Sequence, residues 1–165
     1  ETPHGGQRAS ATSFCRGQCE WDIQAVKFES LTEVLLNISA LHFEPVQFVR
    51  YEPGQYYKQH SDFVHEDVEK PSGPRLFTLF AYLSPPIRGG ETRFPHAGRS
   101  VAPKQGRALV WVNAGGYQGR ARFRWLPATH SEHEALEVLE GTKYIANLWV
   151  HNHDVRTNQK YACKT

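Results

Sequence analysis

His60 and Asp62 stand two residues apart in the stretch Lys58-Gln-His-Ser-Asp-Phe63. At the two-residue period of a β-strand both side chains point to one face. One imidazole and one carboxylate on a shared face are two thirds of a facial two-histidine, one-carboxylate set, which holds iron(II) and leaves coordination positions open. The spacing alone is weak, because His42 with Glu44, His65 with Asp67 and His130 with Glu132 repeat it. Context separates the first pair: Glu52-Pro53-Gly54 is a turn signal, and Gln55 to His60 reads as the strand that follows it. His65 and Asp67 fall in a polar stretch, 64 to 74, that reads as an exposed loop.

The third ligand has two candidates, His130 and His133. His133 is preferred because it opens an apparent strand and lies across a hairpin turn, Glu140-Gly141, from Lys143. An amine on the same strand face as Asn147, Trp149 and His151 supplies a cation in a dry pocket. An iron oxygenase that uses a 2-oxo acid needs such a cation to pair with the distal carboxylate of its cosubstrate.

Several elements must position these groups. Residues 7 to 14 read as an edge strand. Asp22 caps an opening turn, and Ser30-Leu31-Thr32-Glu33 has the capping-box pattern, with Leu31, Val34, Leu35 and Ile38 at helical spacing behind it. That stripe predicts a helix buried against a sheet. From residue 46 onward strands take over: 46 to 51, 55 to 60, and the nearly apolar run from Arg75 to Leu83, which predicts a central strand covered on both faces. A short strand follows Gly89-Gly90, another spans 107 to 112, and 115 to 127 reads as a loop. The last strand, 142 to 151, carries Lys143, Ile145, Asn147, Trp149 and His151 on one face and Tyr144, Ala146, Leu148 and Val150 on the other. Many short strands after one helix predict a mainly β fold, a sandwich or jelly roll, in one domain over 1–165.

Composition bounds the partners. A chain of 165 residues with net charge +2 has no electrostatic case for nucleic acid, and no apolar run is long enough to cross a membrane. Arg120, Arg122 and Arg124 read as a solvated basic loop, and Trp111 and Trp125 as packing. Opening at Glu1 without a charged-plus-apolar leader, the chain reads as a mature chain or excised domain. Cys15, Cys19 and Cys163 are odd in number, so at least one thiol is free or paired between molecules, and the pairing stays open. Nothing in the sequence signals an oligomeric state.

Six motifs in order resemble the iron(II)- and 2-oxoglutarate-dependent prolyl 4-hydroxylases of the collagen, plant and algal type. They are Arg-Tyr-Glu-Pro-Gly-Gln-x-Tyr at 50 to 57, His60-x-Asp62, Arg75-x-x-Thr-x-x-x-Tyr-Leu83, Gly-Gly-Glu-Thr at 89 to 92, His133, and Gly-Thr-Lys-Tyr-Ile-Ala-Asn-Leu-Trp-x-His at 141 to 151. The resemblance implies a double-stranded β-helix with Fe(II) on His60, Asp62 and His133. It also implies 2-oxoglutarate held by Lys143, Tyr51 and Thr92, and a peptide groove lined by Tyr57, Arg75, Trp149 and His151, with loop 64 to 74 closing over substrate. The implied reaction couples oxidative decarboxylation of 2-oxoglutarate by O2, giving succinate and CO2, to hydroxylation at C4 of a proline in a proline-rich protein, with ascorbate as a further cofactor. The secretory pathway is the implied compartment.

The chain departs from the family in the segment 113 to 131, where a shorter, usually acidic connection is expected, and at Asn152-His153. Two other readings compete with a hydroxylase: a catalytically silent module that binds proline-rich peptides, and an oxygenase of the same family acting on another substrate such as nucleic acid.

Overall fold

The computed structural model describes residues 6–118 and 123–157. Its strands are β1 (Ala11–Phe14), β2 (Gln47–Tyr51), β3 (Tyr57–His60), β4 (Arg75–Ser84), β5 (Arg88–Gly89), β6 (Thr92–Phe94), β7 (Arg99–Val101), β8 (Ala108–Val112), β9 (Ala114–Gln118), β10 (Phe123–Pro127), β11 (His133–Ala135), β12 (Val138–Glu140) and β13 (Lys143–His151). The α-helix α1 spans Ile23–Leu36. A five-stranded sheet has the order β1-β2-β13-β4-β8, and a four-stranded sheet the order β3-β11-β6-β7. Every pairing is antiparallel.

From β2 onward the chain passes back and forth between the two sheets, which is the winding of a double-stranded β-helix, or jelly roll. Inner faces meet in one core: Val49 and Tyr51 of β2, Phe80 and Tyr82 of β4 and Ile145 of β13 pack with Tyr57, Val101 and Ala135 from the smaller sheet. On the outer face of the larger sheet, Leu79, Ala146, Leu148 and Val150 pack with Ala25, Phe28 and Leu36 of α1. The two faces of the last strand therefore divide as its alternation predicts. Central strand β4 is flanked by β13 and β8 and is apolar for the reason read from its sequence, cover on both sides.

The helix differs from expectation in its start and its buried face. Asp22 is the N-cap, its carboxylate accepting the N–H groups of Gln24 and Ala25. Ser30 to Glu33 lies inside the helix, so it is not a capping box; Glu33 instead accepts the N–H of Ala40. Leu31, Val34 and Leu35 face outward, with Val34 82% exposed, while Ile38 packs beyond the helix end. The inward positions are Ala25, Phe28, Thr32 and Leu36, a stripe whose small members carry little hydrophobic weight.

The turn at Glu52 joins strands of different sheets, β2 and β3. Three further expectations change. The expected loop at 115 to 127 begins and ends as the hairpin β9–β10. His133 and Lys143 do not face each other across a hairpin: β11 pairs with β3 and β6, β12 with β5, and Lys143 is opposite Tyr51. Loop 64 to 74 is exposed only in part, with Asp67, Ser72, Gly73 and Pro74 buried. Cys15 and Cys19 form a disulfide, and Cys163 lies outside the described residues.

Candidate metal centre

His60 ends β3 and His133 begins β11, and the two are direct cross-strand partners. Asp62 follows β3 by two residues. One ligand atom from each of His60, Asp62 and His133 lies within 4.8 Å of the others. His60 Nε2 is 3.8 Å from Asp62 Oδ1, and His133 Nε2 is 3.7 Å from Asp62 Oδ2. His130 is elsewhere, on the exposed surface with its Nδ1 against the carbonyl of His96. Of the two sequence candidates, His133 is the one that joins the pair.

The donor set fits a divalent iron. His60 Nδ1 faces the Lys58 carbonyl at 2.7 Å and His133 Nδ1 faces the Ser131 carbonyl at 3.0 Å. A carbonyl only accepts, so each Nδ1 carries the proton and each Nε2 turns a lone pair toward the third ligand. Burial and the neighbouring His133 push His60 down to about 4, which keeps the imidazole unprotonated and able to ligate at neutral pH. Asp62 Oδ2 accepts a hydrogen bond from Thr78 at 2.7 Å.

The three ligands open onto a cavity of about 250 Å³, whose lining includes Tyr51, Tyr57, Arg75, Thr92, Asn147 and Trp149. Tyr57 stacks on the His60 ring with centroids 3.6 Å apart, and Trp111 and Phe94 pack on His133. Tyr51 is buried, and burial raises its phenol to about 12. Thr92 shares a 2.7 Å hydrogen bond with Tyr82.

Behind Tyr51 stands Lys143, with no exposed surface. Its Nζ donates to the Gly90 carbonyl at 2.9 Å and lies 4.3 Å from the centre of the Tyr51 ring. Gly90 has φ of 76°, and a Cβ there would come within 3.2 Å of Lys143 Cδ, so glycine is what lets the carbonyl approach the amine. Among the described residues no carboxylate pairs with Lys143, and burial lowers its amine to about 8. A buried cation without a carboxylate partner matches an anionic ligand.

At the rim, the Arg75 guanidinium lies 4.0 Å over the Trp149 ring and binds Glu44 through Nε at 2.5 Å and Nη2 at 3.0 Å. His151 does not line the cavity; its Nε2 contacts Glu44 at 2.8 Å and its Nδ1 the Gly73 carbonyl at 2.8 Å. Burial would raise the Glu44 carboxyl, but hydrogen bonds from His151 and Arg75 outweigh it and hold the group at about 2.

Sequence reasoning missed Glu44, Arg8, Asn113 and the role of Thr78. Arg8 lines the cavity and stacks over Tyr57 at 4.8 Å. Only Thr78 left a signal, as the one threonine within the nearly apolar run 76 to 83.

Residues 46–151 match the 2OG-Fe(II) oxygenase superfamily, and the chain belongs to it. Members use Fe(II), 2-oxoglutarate and O2. Among its relatives, prolyl 4-hydroxylase subunit alpha-2 of Caenorhabditis elegans is 30% identical over 158 residues, 92% of this chain and 27% of that protein. Prolyl 4-hydroxylase 1 of Arabidopsis thaliana is 32% identical, over 78% of this chain and 47% of that one. The chain thus spans only part of the length of these curated relatives. The viral collagen prolyl hydroxylase of Paramecium Bursaria Chlorella virus-1, solved with 2-oxoglutarate, superposes with a TM-score of 0.67 at 31% identity, covering 88% of this chain and 80% of that one.

Proposed function

We propose that this chain is the catalytic domain of a peptidyl prolyl 4-hydroxylase that acts on proline-rich protein segments. The observation that carries the reading is the His60, Asp62, His133 donor set on one cavity, with the buried Lys143 amine directly behind Tyr51 of that cavity's wall.

In this reading His60, Asp62 and His133 hold iron(II), which supplies O2 activation coupled to decarboxylation of the 2-oxo acid. Lys143 pairs with the distal carboxylate of 2-oxoglutarate, and the Tyr51 phenol and Thr92 hydroxyl donate to it. Tyr57, flat against His60, keeps bulk water from that side of the metal. Arg75 and Trp149 present a flat cationic and aromatic surface at the rim, on which an extended polyproline II segment packs with little ordering cost. Glu44 and His151 act behind that surface by fixing the Arg75 guanidinium. The disulfide between Cys15 and Cys19 supports residence in an oxidising compartment such as the secretory pathway.

The test is succinate release from 2-oxoglutarate with Fe(II) and ascorbate, with and without a polyproline peptide, read alongside peptide mass. Peptide-stimulated succinate with one oxygen gained per event is expected. Succinate without peptide oxidation would remove proline as the target, and peptide binding without succinate would favour a silent binding module.

A further inference from the structure

Thr78 and Asn113 are buried polar residues that no step above uses. Thr78 sits mid-way along β4, 1% exposed; Asn113 follows β8 and has no exposed surface. Asn113 Nδ2 donates to Thr78 Oγ1 at 2.8 Å, and Thr78 Oγ1 donates to Asp62 Oδ2 at 2.7 Å. The direction is fixed by chemistry: an amide NH2 only donates, so the threonine oxygen accepts from it and spends its own proton on the carboxylate.

Asp62 Oδ1 lies nearer His60 and Oδ2 nearer His133. A proton delivered to Oδ2 therefore sets the rotation of the carboxylate between the two imidazoles. Among the described residues Asn113 Oδ1, at the other end of the same amide, is buried with no hydrogen-bond partner. A leucine of similar size would fill the space without an unpaired oxygen. What the asparagine adds to packing is its donor.

The relay also ends at a defined place. Asn113 directly precedes β9, and its carbonyl accepts the N–H of Ala128 just past β10, closing the base of that hairpin. Ser131 Oγ donates to the carbonyl of Ala128, and the Ser131 carbonyl holds His133 Nδ1. These hydrogen bonds, joined through the backbones of Asn113, Ala128 and Ser131, link Asp62 by way of the hairpin base to His133.

We propose that Thr78 and Asn113 are positioning residues for the metal centre, holding Asp62 in its ligating rotation and tying it to the base of the β9–β10 hairpin. The inference rests on the reading of His60, Asp62 and His133 as metal ligands. Anaerobic titration of Co(II) into metal-free protein, followed by the ligand-field spectrum, tests it without any turnover. Thr78→Val should bind Co(II) about 10- to 100-fold more weakly with an altered spectrum, as loss of an outer partner does at other metal sites. Thr78→Ser should restore wild-type binding, and Asn113→Leu should weaken it by a smaller factor while the melting temperature holds. Wild-type affinity and spectrum in Thr78→Val overturns the proposal, as does a Thr78→Ser variant as weak as Thr78→Val. If Thr78→Val does not fold, Asn113→Leu decides, and an unchanged spectrum there overturns the relay. Failure of the wild-type chain itself to bind Co(II) would instead remove the metal centre, and the relay with it.

Discussion

Lys143 carries its charge where water does not reach, and burial brings its amine to about 8. The unfolded chain keeps a lysine near 10.4. Below pH 8 both states are protonated and the folded state bears the full cost of the buried charge. Between 8 and about 10.4 the unfolded state holds the extra proton, so this group makes stability rise with pH. Binding of 2-oxoglutarate has the opposite slope, because the dicarboxylate needs the ammonium form. We expect its affinity, measured calorimetrically, to fall about tenfold per pH unit above 8. Lys143→Arg should flatten that slope, and a wild-type affinity flat to pH 9.5 would remove Lys143 from cosubstrate binding. His60→Ala, Asp62→Ala and His133→Ala should each abolish iron-dependent turnover with circular dichroism unchanged, and retained turnover would strike that residue from the ligand set. His60 and Asp62 were legible through the turn and strand signals before them; the hairpin that singled out His133 does not form, and the ordered family motifs are what pointed to it and to Lys143. Glu44 was not, since a carboxylate before a proline looks like any surface acid until Arg75 and His151 arrive from two other strands.

Elements were legible where alternation was strict and illegible where the chain changes partners. β13 alternates cleanly, and Ala146, Leu148 and Val150 go to the helix side while Ile145, Asn147 and Trp149 go to the cavity side, although His151 turns to Glu44 instead of the cavity. β11 and β12 read as one strand because nothing between Ala135 and Val138 announces that each pairs with a different neighbour. In α1 the visible stripe of Leu31, Val34 and Leu35 was the wrong one. Polar replacements such as Val34→Gln should then change stability by no more than about 0.5 kcal/mol, whereas Asp22→Ala should cost about 1 kcal/mol through loss of the cap. Thermal melts of the two variants check both. At the rim, Glu44 is held at about 2 against an ordinary 4.5, so its contribution is complete above pH 4.5 and is lost as pH falls toward 2. Glu44→Gln should lower stability by roughly 3 kcal/mol at neutral pH, by leaving Arg75 and His151 without their anion. It should also flatten the acid limb of the stability curve between those values; an unaltered limb would mean that another carboxyl governs acid unfolding.

At the scale of the molecule, the cavity belongs to neither sheet alone. Tyr51, Arg75, Asn147 and Trp149 come from the larger sheet, Tyr57, His60, Thr92 and His133 from the smaller. Short-range pattern shows that both sheets exist. It does not show their strand order, which depends on pairings between segments far apart in the chain; the resemblance to relatives implied the double-stranded β-helix and no more. β3 meets β11 through only two partner pairs with a register shift between them, and one of those pairs is His60 with His133. A bound ion would therefore act as an added rung across a weak seam. Ligand at a hundred times its dissociation constant adds about 2.7 kcal/mol to the folded state, and here that gain falls first on the seam. Chelation should accelerate amide hydrogen exchange along Tyr57–His60 well before it touches β13. A cofactor chosen for its reactivity would then also govern which edge of the protein opens first when it is taken away.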